Sequence, residues 1–181
     1  MIDEFFYIRH GQTDWNKKNV FQGHNDIPLN QTGKEQARVL SSKLVLADDA
    51  IIFSSPLKRA KETAQIATSL TNNIVIMPEF MECNSPEGAK YLLSLKGETK
   101  LPCFKNLNQN GESPEELLLR VRVGLNKMKE LSDGKTAYLF SHGGIGTAIC
   151  KLLEINYFKT PNCGMFKFQN SNGRFTATKI H

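Results

Sequence analysis

Four short, almost continuously apolar runs constrain this chain more than any other feature: Glu4–Arg9, Ala50–Phe53, Ile74–Met77 and Thr136–Ser141. Runs of this kind, lacking an apolar/polar alternation, are what strands buried on both faces require. Stretches with helical spacing lie between and after them. Gly33–Ala47 places Ala37, Leu40 and Leu44 on one stripe, and a helix from Pro56 to Leu70 buries Ala60, Ala64, Ala67 and Leu70. Ser55 is predicted to cap that helix, with Pro56 in the first helical position, where a missing N–H costs nothing. Ser113-Pro114-Glu115-Glu116 reads as a capping box, and Leu117, Val121, Leu125 and Met128 mark the face behind it. Gly143–Leu153 forms a further helix, and Met165–Gln169 and Arg174–Ile180 flank a turn at Asn170-Ser171-Asn172-Gly173. Strands alternating with helices imply an α/β fold, a three-layer α/β/α sandwich with a mainly parallel central sheet. A chain of 181 residues is expected to form a single domain, 1–181. Pro78–Glu112 has no clear period, and segments of that length in a compact domain are usually functional.

The start, Met1-Ile2-Asp3-Glu4, is acidic where a secretory signal would be basic, and no apolar run approaches the ~20 residues that span a bilayer. Cys83, Cys103, Cys150 and Cys163 show no C-x-x-C pairing and are expected to be reduced thiols. A cytoplasmic protein without a membrane partner is the expectation. The formal charge of +5 favours anionic ligands. The basic residues are nevertheless dispersed, with no run of five or more and no interleaved aromatics, so a small anion fits better than nucleic acid.

In parallel sheets ligands bind beyond the carboxyl ends of the strands. Three such ends carry chemistry: Arg9-His10-Gly11, Ser54-Ser55 through Arg59, and Ser141-His142-Gly143-Gly144. If the first and last of these strands are neighbours, His10 and His142 share one crevice. Gly143 and Gly144 let a ligand approach the backbone, and the helix they open offers unpaired N–H groups to an anion. Arg9, Arg59, two imidazoles and a helix terminus together suit a dianionic phosphate, and the flanking cations favour neutral, nucleophilic His10. A metal centre is not expected. His10, His24, His142 and His181 show no H-x-x-x-H or H-x-H spacing and no accompanying acidic cluster.

Tyr7-Ile8-Arg9-His10-Gly11-Gln12-Thr13-Asp14-Trp15-Asn16 resembles the signature of the histidine phosphatase superfamily, in its phosphoglycerate mutase-like branch. The resemblance continues, in the family's order, through Phe21-Gln22-Gly23, Asp26-Ile27-Pro28-Leu29, Thr32-Gly33, Gln36-Ala37, Ser54–Ala60, Glu62-Thr63-Ala64, Gly111-Glu112-Ser113 and Ser141–Gly144. It implies a metal-independent phosphatase without a cofactor, acting on a small phosphorylated metabolite, with phosphate or vanadate as pocket ligands. His10 is then the phosphorylated nucleophile. Arg9, Arg59 and His142 bind the phosphoryl group, Asn16 and the Gly143 backbone assist, and Gln22 and Gly23 lie at the rim. The family's proton donor maps to Phe80-Met81-Glu82, but Cys83-Asn84-Ser85-Pro86 before Glu87-Gly88 is shorter than the family's stretch and lacks its aromatic. Glu82 is the chosen acid, with Glu79 and Glu87 as rivals. The resemblance leaves open a phosphoglycerate mutase, a protein phosphohistidine or phosphotyrosine phosphatase, and a non-catalytic phosphate-binding module.

Overall fold

The computed structural model describes residues 1–84, 111–156 and 158–181. Among these residues six strands form one sheet: β1 (Glu4–Arg9), β2 (Ile51–Ser54), β3 (Ile74–Ile76), β4 (Ala137–Ser141), β5 (Met165–Ser171) and β6 (Arg174–Lys179), in the spatial order β3-β2-β4-β1-β5-β6. The first four of that order run parallel, and β5 and β6 close one side as an antiparallel hairpin. The central position of β4 accounts for its composition: all five residues of Ala137–Ser141 are buried.

The described helices are α1 (Asp14–Lys17), α2 (Gln31–Ser41), α3 (Lys58–Thr68), α4 (Pro114–Ser132) and α5 (Gly143–Leu152), with a 3-10 turn at Pro78–Phe80. On one face of the sheet Ala37 and Leu40 of α2 and Ala64 and Ala67 of α3 cover Ile8, Ile52 and Phe140. On the other, Leu117, Val121, Leu125 and Met128 of α4 and Ile145 and Ile149 of α5 cover Phe5, Tyr7, Phe53 and Leu139. The result is the three-layer α/β/α sandwich expected from the alternation. Burying each of these large side chains is worth ~1.5–3 kcal/mol.

Three local expectations differ from what is found. The helix predicted over Gly33–Ala47 runs from Gln31 to Ser41. The Ser42 hydroxyl donates to the Val39 carbonyl, and both Lys43 N and Leu44 N turn back to Leu40 O, which closes the last turn. Ser55 does not cap α3. Its N-cap is Leu57, without a side-chain bond, and Asp26 reaches in from a distant loop to accept from Lys58 N at 2.6 Å. The turn of the hairpin is tighter than the four residues expected. Ser171 pairs with Arg174, and Asn172 and Gly173 take φ of 53° and 83°, the left-handed pair a two-residue hairpin needs.

The loop after β1 rests on the first turn of α2, backbone against backbone. A Cβ on Gly33 would fall 2.0 Å from Gln12 O, and one on Gly11 would fall 2.6 Å from Gly33 O. Asn30 caps α2 through Gly33 N and donates its amide to Gln12 Oε1, fixing the same contact from the side.

Candidate active site

The parallel register of β1 and β4 sets Arg9 opposite Ser141, so the next residues, His10 and His142, emerge side by side. Their ring centroids are 5.2 Å apart, with planes tilted by 58°. Hydrogen bonds fix both tautomers. His10 Nδ1 lies 2.7 Å from Gly11 O; a carbonyl only accepts, so Nδ1 carries the proton and Nε2 keeps its lone pair. Arg59 Nε donates to His142 Nδ1 at 3.2 Å, so the His142 proton sits on Nε2 and goes to Ser55 Oγ, 2.8 Å away. Ser55 thus orients an imidazole where the sequence had assigned it a helix cap.

Arg59 is fully buried and anchored by carbonyls. Nη1 donates to Asn25 O and Nη2 to Gly23 O, both at 2.8 Å. Each terminal nitrogen carries a second N–H, the kind of donor an oxyanion meets. Burial brings its pKa down to about 10, which leaves it charged at neutral pH. Thr63, one turn on, donates to Arg59 O and accepts from Gly11 N, so α3 holds both a cation and the loop beside His10. Arg9 donates Nη1 to Thr160 O at 2.7 Å, while its buried Nε has no partner among the described residues.

Both imidazoles are held well below the ordinary histidine range. Burial is the largest cause for each. For His10 the guanidinium groups of Arg59 and Arg9 add to it; for His142 Arg59, His10, Arg9 and His24 do. The folded protein therefore keeps two neutral rings that the unfolded chain protonates near pH 6.5. The unfolded state then binds more protons, so stability falls as pH drops through that value, by up to about 1.4 kcal/mol per pH unit for each histidine. Urea midpoints should decline between pH 7.5 and 5.5, whereas the acid limb of any activity that needs neutral His10 should begin below 6.5. Midpoints that stay level over this range would show that the rings are not held neutral.

Of the three candidate acids, Glu82 is at the site. Its carboxylate accepts from Cys83 N at 2.9 Å and from Gly144 N at 3.2 Å, so it occupies the first turn of α5 beside His142. The Gly144 N–H, expected to be open to an anion, is engaged by this carboxylate. Glu79 pairs with Lys127 of α4. Burial opposes ionisation there, but Lys127 prevails and holds the carboxyl below its usual range. Glu87 lies outside the described residues, as does Cys103. Cys83, Cys150 and Cys163 are buried thiols.

The expected substrate-binding residues sit around this centre. Asn16 is the partner of Thr13 in the capping box of α1; its Oδ1 accepts from Thr13 N, so only its Nδ2 can face an anion. Gln22 is buried, with Oε1 unpartnered among the described residues. Gly23 is turned to φ 50° and gives its carbonyl to Arg59. Gly143 packs against Arg9, where a Cβ would meet Nε at 3.5 Å. Sequence reasoning missed Asn25, Thr160 and Asn162. The last donates its amide to His10 O at 3.0 Å, and its only signal was a Pro161-Asn162 turn.

Among the described residues no group of three or more His, Cys, Asp or Glu is placed to hold a metal ion, and no helix is long and apolar enough to cross a membrane.

Several known proteins are similar to this chain. Uncharacterized phosphatase PhoE of Bacillus subtilis (strain 168) is 38% identical over 138 residues, covering 75% of this chain and 69% of PhoE. Probable phosphoglycerate mutase GpmB of Photorhabdus laumondii is 30% identical over 149 residues, covering 77% and 69%. A phosphoglycerate mutase structure from Thermus thermophilus aligns with a TM-score of 0.71 at 27% identity, over 98% of each chain. The open reading frame Rv3214 structure from Mycobacterium tuberculosis gives 0.81 at 21%, over 98% and 96%, a likeness of fold. The family described as Histidine phosphatase superfamily (branch 1) matches residues 5–181. With paired strand-end histidines, the buried Arg59 and this match over nearly its whole length, the chain belongs to the histidine phosphatase superfamily.

Proposed function

We propose that the protein is a metal-independent phosphomonoesterase that hydrolyses a small phosphorylated metabolite through a phosphohistidine on His10. The observation that carries this reading is the His10 tautomer: Nδ1–H is tied to Gly11 O, which leaves the Nε2 lone pair as nucleophile. Arg9 and Arg59 lie beside it as donors for a phosphoryl dianion, while the single N–H of neutral His142 is given to Ser55 Oγ. In the first step Nε2 attacks phosphorus in line, the P–O ester bond breaks, and Glu82 in its acid form gives its proton to the departing alkoxide. In the second, the Glu82 carboxylate takes a proton from water as the oxygen attacks phosphorus, the P–N bond breaks, and inorganic phosphate leaves.

A panel of phosphate monoesters assayed for released phosphate tests the reading. Turnover should persist in excess EDTA, because the cations of the site are guanidinium groups. Orthovanadate should inhibit strongly, since it adopts the five-coordinate geometry of the transition state. Activity lost on chelation and restored by magnesium would overturn the metal-free mechanism. Interconversion of 2- and 3-phosphoglycerate without release of phosphate would make the protein a mutase.

A further inference from the structure

Glu82 follows the 3-10 turn Pro78–Phe80 in a segment without regular structure, so the backbone that carries it must find its partners elsewhere. Phe80 O accepts from Ser141 Oγ and Glu82 O from His24 Nε2, each at 2.8 Å, and the residues flanking Glu82 are held by one ion pair. Arg120 of α4 donates Nη1 to Glu79 O at 2.7 Å and to Met81 O at 3.0 Å. Its Nε and Nη2 meet the two oxygens of Glu112 at 2.6 and 2.7 Å, a bidentate fork. Glu112 in turn accepts from Asn84 N at 3.3 Å, and its own N–H donates to Asn84 O at 2.9 Å. The residues on both sides of Glu82 are therefore tied to the same two side chains. Glu112 immediately precedes the N-cap of α4, so the pair rests on a nineteen-residue helix. The side chains of Arg120 and Glu112 are only 22% and 13% exposed, which limits screening by solvent.

We propose that Arg120 and Glu112 are positioning residues, a clamp that aims Glu82 at the leaving-group oxygen. The proposal rests on the reading of Glu82 as the general acid. The Glu82 carboxylate accepts from Cys83 N and from Gly144 N of α5, so its reach to Gly144 depends on where its own backbone is held. A displacement of ~1 Å at a reacting group costs about 10²-fold in rate. Lysine cannot reproduce the clamp, because it lacks the planar fork that grips a carboxylate and two carbonyls at once.

The test is carried out on the full chain with two substrates, an alkyl phosphate and p-nitrophenyl phosphate, whose leaving group needs little protonation. Arg120→Lys should lower kcat on the alkyl phosphate by roughly 10- to 100-fold, with little change in KM and only a few-fold loss on p-nitrophenyl phosphate. Glu112→Gln, which keeps the shape of the side chain and leaves Arg120 in place, should show the same preference and serves if Arg120→Lys folds poorly. Combined with Glu82→Gln, Arg120→Lys should add no further loss on the alkyl substrate, because the group it aims is gone. Equal losses on both substrates, or losses that add to that of Glu82→Gln, would make the pair structural and overturn the clamp. If Glu82→Gln alone shows leaving-group dependence and neither clamp variant does, the clamp fails and the acid stands. If Glu82→Gln itself shows none, the acid assignment falls and the clamp falls with it.

Discussion

His10→Ala is expected to lower turnover by on the order of 10⁴-fold or more, the scale at which loss of a covalent nucleophile registers. The loss should be one of chemistry, since the His10 ring stands at the end of β1 and its Nδ1 bond is to the adjacent Gly11 carbonyl, not across the core. Circular dichroism and the thermal midpoint should remain close to those of the parent. Brief incubation of the parent with substrate labelled in the phosphoryl group should give a phosphoprotein that alkali spares and acid destroys, as a P–N bond requires. The variant should take up no label. An adduct with the opposite stability, destroyed by alkali, would be an acyl phosphate and would move the nucleophile to a carboxylate.

Glu82→Gln should produce the second largest effect, and one that depends on the substrate. An alkoxide leaves poorly without a proton, so loss of the acid should cost ~10²–10⁴-fold on an alkyl phosphate. p-Nitrophenolate leaves almost unaided, and the same variant should be close to the parent on its ester. Glu79→Gln supplies the control. Its carboxylate is paired with Lys127 of α4, so its loss should leave the ratio of the two rates unchanged. A Glu79→Gln variant that shifted this ratio while Glu82→Gln did not would move the acid to the other carboxylate.

The elements legible in the sequence were those whose cause is local. The parallel sheet followed from apolar runs such as Ala137–Ser141, and the buried faces of α3 and α4 followed from the spacing of Ala60, Ala64 and Ala67 and of Leu117, Val121 and Leu125. His10, His142, Arg9 and Arg59 converge because they occupy strand ends or the first turn beyond one, which strand order alone arranges. What escaped is set by contacts distant in sequence. Ser55 followed by Pro56 has every local mark of a helix start, yet the hydroxyl is claimed by His142 and the α3 terminus is served by Asp26. The end of α2 was misplaced because Leu44 keeps the apolar spacing after the backbone has left the helix. Thr160 and Asn162 carry no periodic signal; they matter because a segment some 150 positions later in the chain passes the end of β1.

The contact between Gly11 and Gly33 bears on how this protein can vary. Neither position admits a side chain, and each is closed by the main chain of the other loop, so a substitution at one cannot be relieved by trimming a neighbouring side chain. In a library selected for activity these two positions should tolerate fewer replacements than most of the buried core, where Leu, Ile and Met can exchange with repacking. Drift in the first turn of α2 is thereby tied to drift beside His10. The two segments should change together among descendants of this chain or not at all.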